Sequence, residues 1–384
     1  MPGERPAQKQ GGRIVPRVEP QTHRRAPTGD EIATFDLENR KLSVTTAAGE
    51  AREFAFDYDS EGAHIMGIAA ASNGTACGGT AFPMRFFSYD PGKDAWTRHP
   101  AYGQWNTLAA TDSLFFVGAY AHGSLLEWDP GAAWVDTLKG NPESNPRFLH
   151  EAHPTIGRPH GLLAHPDGRH VILAGTPGYG FTGGGLMLWD RQAQTATILE
   201  HTALIEWHST MALVPLPDGR LLGGTTISPG TGGAVKAALA ELYILDLGTR
   251  KITWHAPLIE GAHAYVDMIM GPAGLVFGCA NRTIFFVFDP ARRTIVHREA
   301  IPEALGPTTS GQGPRIFVPS PDGRFFVLLT KGIAQLDPET YAFTLLAESP
   351  VSIAPGGAWL DGRIYFGHGS HLYSWEVPPP NAAE

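Results

Sequence analysis

A short strand that ends in an acidic residue recurs seven times along this chain. In each copy apolar and polar residues alternate, as in RFFSYD, GLMLWD and ELYILD, which is the period-2 pattern of a half-buried strand. Each copy follows a two-strand unit with a turn such as HPDG or LPDG, and all but the last precede a further strand. Four strands repeated seven times predict an all-β fold, a seven-bladed β-propeller with four-stranded blades. The acids that end the seven strands are Asp90, Asp129, Asp190, Asp246, Asp289, Asp337 and Glu376.

These repeated acids predict a structural role. An aspartate after a strand hydrogen-bonds its own backbone and so stabilises the turn to the next strand. Because the acid stands at the same place in every unit, we assign these residues to turn caps and exclude them from the site.

The two ends of the repeat predict how the ring closes. The last unit ends at HLYSWEV, residues 371–377, without an outer strand, whereas EIATFDLENRKLSV, residues 31–44, has the pattern of a strand pair without inner strands. An N-terminal strand is therefore predicted to complete the last blade and close the ring, which removes a sheet edge. An eight-bladed ring with Asp36 in the eighth unit is the alternative. The predicted organisation is a disordered, basic and proline-rich tail over 1–30 and a single propeller domain over 31–384.

Composition restricts the class of partner. The 384 residues include 46 glycines and 32 prolines, and the net charge is −9, so a basic surface for nucleic acid is not expected. No apolar run has the length of a signal peptide or of a membrane-spanning helix. The two cysteines, Cys77 and Cys279, lie in apolar strands of distant units and are predicted to be buried thiols, which fits a reducing compartment. We expect a cytoplasmic monomer that binds neither nucleic acid nor membrane.

Polar and titratable residues cluster at one end of the predicted blades. Inner strands of a propeller line a central channel, and one end carries both their starts and the loops between second and third strands. RPHG, residues 158–161, and PGYG, residues 177–180, belong to one blade and meet at this end. The glycines of residues 178–185 are expected to let the backbone approach a ligand or a neighbouring blade closely. Residues at these positions are His64, Gln104, Asn106, Tyr120, His122, Arg158, His160, Tyr179, His208, Lys236, His263, Tyr265, Asp267, Asn281, Arg315 and His368.

Arginine and histidine that face a common cavity favour an anionic ligand. Arginine holds a carboxylate in a two-pronged contact, and neutral histidine accepts a proton near pH 7. If the anion is a uronate, pairing with arginine acidifies the adjacent carbon, and a base can remove that proton and eliminate the glycosidic oxygen. The predicted reaction is therefore β-elimination on a small anionic saccharide.

The sevenfold repeat with Arg158, His160 and Tyr179 at the channel mouth, together with His208, His263 and Arg315, resembles the propeller-type polysaccharide lyases. These include oligogalacturonate, ulvan and rhamnose–glucuronate lyases, and the propellers of virginiamycin B lyases are similar. The resemblance covers residues 31–376 and implies a carbon–oxygen lyase. It also implies a choice between no cofactor and a divalent metal, for which the candidate ligands are His64 and His263, with His208 as a further one.

Roles within this hypothesis follow from side-chain chemistry. The general base is His160 or His208, and the acid is Tyr179 or Tyr120. Arg158 and Arg315 would hold the carboxylate. The other residues assigned to substrate binding are His122, Asn106, Tyr265 and Lys236.

A non-catalytic propeller that binds a peptide, protein or sugar is the competing hypothesis, because fold does not imply function. Such a scaffold uses exposed aromatic and arginine anchors, and Trp105, Trp207 and Trp359 are candidates that could equally pack between blades. A glycosidase is disfavoured because it needs two carboxylates in one cavity, and the sequence pattern places only one acid, Asp267, at a strand start. Neither a GxSxG nucleophile motif nor a phosphate-binding Gly-Lys-Ser/Thr loop occurs.

Overall fold

The computed structural model describes residues 24–36, 40–57, 62–309 and 316–380. The chain divides into two compact units, Met1–Glu61 and Gly62–Glu384.

The first unit contains one antiparallel sheet of three strands in the order β1-β2-β3. The sequence predicted only the first two of these strands. The third follows a short turn and pairs with the second along its whole length, so these strands satisfy their backbone groups locally. The bounds are β1 Glu31–Asp36, β2 Lys41–Thr45 and β3 Ala51–Ala55.

The second unit contains seven antiparallel sheets, which are the blades. Blade 1 is β4 His64–Ala70, β5 Ala76–Ala81, β6 Arg85–Asp90 and β7 Ala95–Pro100. Blade 2 is β8 Gln104–Ala110, β9 Phe115–Tyr120, β10 Ser124–Trp128 and β11 Arg147–Glu151. Blade 3 is β12 Arg158–Ala164, β13 His170–Thr176, β14 Gly185–Asp190 and β15 Thr195–Glu200. Blade 4 is β16 Ser209–Pro215, β17 Leu221–Thr226, β18 Leu242–Asp246 and β19 Lys251–Ala256.

The remaining blades continue in chain order. Blade 5 is β20 Tyr265–Met270, β21 Val276–Ala280, β22 Ile284–Asp289 and β23 Thr294–Ala300. Blade 6 is β24 Phe317–Pro319, β25 Phe325–Leu329, β26 Gly332–Leu336 and β27 Phe343–Glu348. Blade 7 is β28 Ala358–Leu360, β29 Arg363–His368 and β30 His371–Glu376. Short 3-10 turns lie at His201–Ala203, Pro272–Gly274 and Glu303–Leu305.

The inner strands form a closed ring. Each contacts the inner strand of the next blade, from β4 through β8, β12, β16, β20 and β24 to β28, and β28 contacts β4. The all-β, seven-bladed propeller that the sequence predicted is thus confirmed. One detail is corrected: among the described residues blade 7 has three strands, and the strands over 31–55 pair with one another in a separate sheet.

Apolar residues of the middle strands hold the blades together. Strands β9, β13 and β21 are buried almost throughout, whereas outer strands such as β23 alternate between exposed and half-buried residues. Clusters of buried side chains bridge adjacent blades, as between Leu242 of blade 4 and Phe286 of blade 5. Cys77 and Cys279 are buried thiols that form no disulfide, as predicted. Among the described residues no helix has the length and apolarity needed to cross a membrane.

The repeated aspartates cap turns, as expected. In each of the six four-stranded blades the carboxylate accepts a hydrogen bond from a backbone N–H two or three residues later. Glu376 of the last repeat differs, because its carboxylate accepts a hydrogen bond from Arg363 instead. These acids stabilise the blade edge.

Candidate functional site

The inner strands of blades 1 to 5 each have a β-bulge near their start, at the third residue in blades 1 to 4 and at the second in blade 5. The pairing with the second strand skips this residue in each blade. A bulge re-aims its side chain out of the ladder, and in blades 3, 4 and 5 the bulged residues line one cavity at the channel mouth. The bulged residues are Met66, Asn106, His160, Met211 and Val266.

The end of the propeller that carries these bulges is called the loop face below. It comprises the starts of the inner strands, the loops between second and third strands, and the connections between blades.

A pocket of about 140 Å³ on the loop face gathers four of the predicted residues, Tyr120, His122, Arg158 and Tyr179. We call it the tyrosine pocket. The hydroxyls of Tyr120 and Tyr179 share a hydrogen bond, and the guanidinium carbon of Arg158 lies 5.2 Å from the centre of the Tyr120 ring. The bond to Tyr120 raises the pKa of Tyr179 above its ordinary value. Blade 2 and blade 3 therefore build one wall together.

Two histidines form another part of this pocket. The rings of His122 and His153 meet edge to face with centres 5.5 Å apart, and both residues line the pocket. His122 was predicted to bind substrate. The sequence analysis did not select His153, which is exposed on the connection between blades 2 and 3 and also lines this pocket.

Glycines permit the loops to converge on the tyrosine pocket. A Cβ atom on Gly157 would lie 2.8 Å from the Cα of Gly178, and one on Gly230 would lie 2.1 Å from the carbonyl oxygen of Gly178. Backbone hydrogen bonds then join the blade 3 loop to the blade 4 loop, from Gly180 to the Thr231 carbonyl and from Gly230 to the Phe181 carbonyl. The glycine-rich loop thus serves close approach between neighbouring blades, one of the two uses that the sequence predicted.

His160 lies deeper, at the bulge of blade 3. Its Nε2 is 3.1 Å from the Thr176 hydroxyl oxygen, and its Nδ1 is buried without a hydrogen-bond partner among the described residues. Burial, and next to it the positive charge of Arg158, lower the pKa of His160 to about 3. The ring is neutral at physiological pH, and its low basicity makes it a weak proton acceptor.

A second cavity, of about 390 Å³, adjoins the tyrosine pocket, since Arg158 and Thr176 line both. We call it the arginine cavity because Arg158 of blade 3 and Arg282 of blade 5 both line it. The Nε of Arg158 is buried without a hydrogen-bond partner among the described residues. Arg282 uses its Nε to donate to the Thr308 carbonyl oxygen, 3.0 Å away. The sequence analysis did not select Arg282.

A third cavity, of about 280 Å³, continues along the channel between the inner strands. His160 and Asp267 both line it. One carboxylate oxygen of Asp267 accepts a hydrogen bond from the Ile316 backbone N–H at 2.7 Å, and the other from its neighbour Met268. Asp267 thus ties blade 5 to the start of blade 6.

Two residues that were predicted to belong to the site are instead held by contacts within the fold. His208 is buried, and its ring nitrogens lie 2.8 Å from the carbonyl oxygens of Glu206 and Leu239. A neutral imidazole carries one N–H, so one of these nitrogens donates to its carbonyl oxygen, and His208 lines none of the three cavities. Tyr265 is fully buried against Phe286, and burial raises its pKa to about 12.

The other predicted residues are spread over the loop face. Asn106 is buried and accepts a hydrogen bond from Gln104 at 2.8 Å. The ammonium of Lys236 lies 3.7 Å from the centre of the Trp207 ring, a cation–π contact outside the three cavities. His64 and His263 are both exposed, on blade 1 and just before blade 5. Arg315 lies outside the described residues.

Within residues 24–36, 40–57, 62–309 and 316–380, no three His, Cys, Asp or Glu side chains are grouped as a metal site would require. Binding of a divalent metal therefore remains a prediction, and the described side chains do not support it. Of the tryptophans proposed as anchors, Trp105 is fully buried and Trp359 stacks on Phe326 with centres 5.8 Å apart. Both pack between blades.

An exposed apolar patch borders the tyrosine pocket. Tyr179 is 62% exposed, Phe181 52% and Val235 60%, and they lie on the two loops of blades 3 and 4 that hydrogen-bond to each other. Exposed aromatic side chains on a rigid platform are typical of binding surfaces. The sequence analysis selected Tyr179 but missed Phe181 and Val235.

Comparison with known proteins supports the fold. No protein-family model and no curated protein matches the chain. Among solved structures, the Cps50 (Swd1) β-propeller domain of Myceliophteria thermophila superimposes with a TM-score of 0.56 at 13% identity, over 82% of this chain and 97% of that domain. As many as 1263 solved chains match, so the likeness establishes an architecture with many functions rather than one function. The resemblance to polysaccharide lyases finds no support in these comparisons beyond the propeller itself.

Proposed function

We propose that this propeller is a non-catalytic binding scaffold whose loop face holds a segment of a partner polypeptide. The observation that carries the proposal is the patch of Tyr179, Phe181 and Val235, more than half exposed in each case. Phe82 and Leu138 of the propeller are exposed as well, but Tyr179, Phe181 and Val235 lie together on two loops that hydrogen-bond to each other. Water contact there is unfavourable, and a partner would relieve it.

The adjoining tyrosine pocket suggests what the partner segment carries. Tyr179 belongs to both the patch and the pocket, and Arg158 supplies a positive charge there. Among the described residues that line this pocket, none carries a carboxylate. A segment with an apolar or aromatic side chain for the patch and an acidic side chain for the pocket would complement both features.

Selection from a random peptide display library tests the proposal. Peptides enriched on the wild-type protein should combine an aromatic or apolar residue with an acidic one. Their affinity should fall at least about tenfold in the double variant Tyr179→Ser/Phe181→Ser, because interface aromatics commonly contribute more than 1 kcal/mol each.

The matched control is Ile198→Ser/Val296→Ser, which removes exposed apolar side chains from outer strands. It should leave affinity unchanged. Absence of enrichment on the wild-type protein, or equal loss in both double variants, would overturn the scaffold.

The lyase is the second candidate, and it rests on one observation: a guanidinium and two phenol hydroxyls meet in the tyrosine pocket. Because His160 is a weak base and both ring nitrogens of His208 face carbonyls, the base in this mechanism would be His122 or His153. Incubation with uronate oligosaccharides, with and without divalent metal, tests it. Ultraviolet absorbance from an unsaturated uronate would establish the lyase, and no absorbance across the panel would reject it.

A further inference from the structure

The arginine cavity differs from the rest of the channel in its charge. Arg158 and Arg282 line it, and none of its described lining residues is acidic. The chain as a whole has a net charge of −9, so two arginines in one cavity without a carboxylate are a local exception. Partial removal of a guanidinium from water is unfavourable unless a nearby anion compensates its charge.

The hydrogen bonds within the cavity leave donor groups for a ligand. Arg282 uses only its Nε on a described partner, the Thr308 carbonyl, and its two terminal nitrogens have none among the described residues. The buried Nε of Arg158 has no partner there either. By contrast, the Asn281 side chain is occupied by backbone groups of the connection before blade 5. The polar atoms of the cavity without a partner among the described residues thus include nitrogens of the two arginines and the Nδ1 of His160, which is also unpaired.

The two arginines come from blades that are not adjacent. Arg158 starts the inner strand of blade 3, and Arg282 lies in the loop of blade 5. Residues of blade 4 contribute the lining between them, among them Met211 and Pro229. Two cationic ends with an apolar stretch between them match a molecule with an acid at each end and a hydrocarbon middle.

The size of the cavity agrees with this class of ligand. Its volume of about 390 Å³ lies at the lower end of the range for small-molecule sites, roughly 300–1,000 Å³. The cavity opens toward the tyrosine pocket through Arg158, which lines both.

We infer that the arginine cavity is a binding site for a short aliphatic dicarboxylate, with one carboxylate on Arg158, the other on Arg282 and the methylene chain against Met211 and Pro229. This site shares Arg158 with the tyrosine pocket, but it does not include the patch residues Phe181 and Val235 of the proposed scaffold function.

Titration calorimetry on the full chain with succinate, glutarate and adipate tests the site, with butyrate as the singly charged comparison. At least one dicarboxylate should bind at least about tenfold more tightly than butyrate, because the second ion pair adds a charged hydrogen bond. Arg158→Gln and Arg282→Gln should each weaken that dicarboxylate at least about tenfold and leave butyrate within about threefold of its wild-type affinity.

Arg298→Gln is the matched control, because Arg298 is exposed on the outer strand of the same blade as Arg282. It should bind like the wild type. Failure of every dicarboxylate to bind the wild-type protein, or equal affinity for butyrate, would overturn the inference without any variant. Tighter binding of inorganic phosphate than of every dicarboxylate would also overturn it, in favour of a compact oxyanion. The display selection on Tyr179 and Phe181 is unaffected by these outcomes, so the two proposals fail separately.

Discussion

The guanidinium carbon of Arg158 lies 5.2 Å from the centre of the Tyr120 ring, so the first residue of the inner strand of blade 3 covers the last residue of the second strand of blade 2. The Tyr120 hydroxyl also bonds to Tyr179, which is 59 residues later in the chain. A cation, an aromatic face and a phenol pair are thus fixed relative to one another by two rigid sheets. Their preorganisation lowers the entropic cost of ligand binding at this point.

The phenol pair predicts an altered titration of Tyr179. Its hydrogen bond with Tyr120 raises the pKa of Tyr179, since ionisation would break or weaken that bond. Tyr120→Phe should therefore lower the pKa of Tyr179 toward its ordinary value. Carbon-13 NMR on protein labelled at tyrosine Cζ measures this during a pH titration.

Tyr89→Phe provides the control, because it removes a phenol of blade 1 that is bonded to Asp94 and is remote from this pocket in the fold. The Tyr179 resonance should titrate there as in the wild type. An unchanged Tyr179 titration in Tyr120→Phe would mean that the hydroxyls do not bond in solution.

Gly230 predicts a steric requirement of the loop face. A Cβ at this position would lie 2.1 Å from the Gly178 carbonyl oxygen, and a backbone atom cannot give way as a flexible side chain can. Gly230→Ala should lower the free energy of unfolding by about 1–3 kcal/mol, as overpacking does. Denaturant unfolding measures this change. Gly248→Ala, where the nearest atom lies 3.5 Å from the added Cβ, should cost much less, and equal costs would contradict the steric argument.

His208 predicts a stability effect from its two carbonyl neighbours. His208→Ala leaves the carbonyls of Glu206 and Leu239 without this partner, so the free energy of unfolding should fall by about 1–3 kcal/mol. His263→Ala is the comparison, because His263 is exposed and only its backbone atoms form the hydrogen bonds of that connection. Its effect should stay within about 0.5 kcal/mol. A neutral His208→Ala would indicate that this ring does not hold the loop.

The fold could be predicted because each blade repeats its pattern. Alternating strands, turn residues at fixed offsets and an aspartate that caps its own turn are local properties, visible in each repeat without knowledge of the others. The pairing of the N-terminal strands was harder to predict. Whether strands at residues 31–55 join the last blade or pair with one another depends on competing long-range and local pairings, and the third strand at Ala51–Ala55 favours the local one.

The site could be predicted only where residues share a blade or adjoin it. Arg158 and Tyr179 lie on one blade, and Tyr120 lies on its neighbour, so position in the repeat sufficed. The bulges at Met211 and Val266 could not be seen, because a one-residue shift of register redirects a side chain without changing the hydrophobic pattern. Burial at a turn was equally hidden: His165 lies in the HPDG turn, where exposure is expected, yet it is buried beside Asp167.

His160 predicts a loss of stability in mild acid. Burial and the charge of Arg158 lower its pKa from 6.5 to about 3 in the folded protein, so between these values the unfolded chain binds a proton that the native state does not. The free energy of unfolding therefore falls as the pH falls through this range, by at most about 1.4 kcal/mol per pH unit, and above pH 6.5 the ring is neutral in both states and contributes no slope. Asp167 and Asp322 have pKa values of about 2 in the folded protein, so the stability that their charge contributes is lost only below their ordinary pKa of 3.8. Between about pH 4.5 and 6.5 the expected change in stability is therefore due to His160.

His160→Gln keeps a side chain that can bond to Thr176 but does not titrate. Urea unfolding between about pH 4.5 and 7 should give a shallower slope for this variant than for the wild type, and parallel curves would mean that His160 keeps an ordinary pKa.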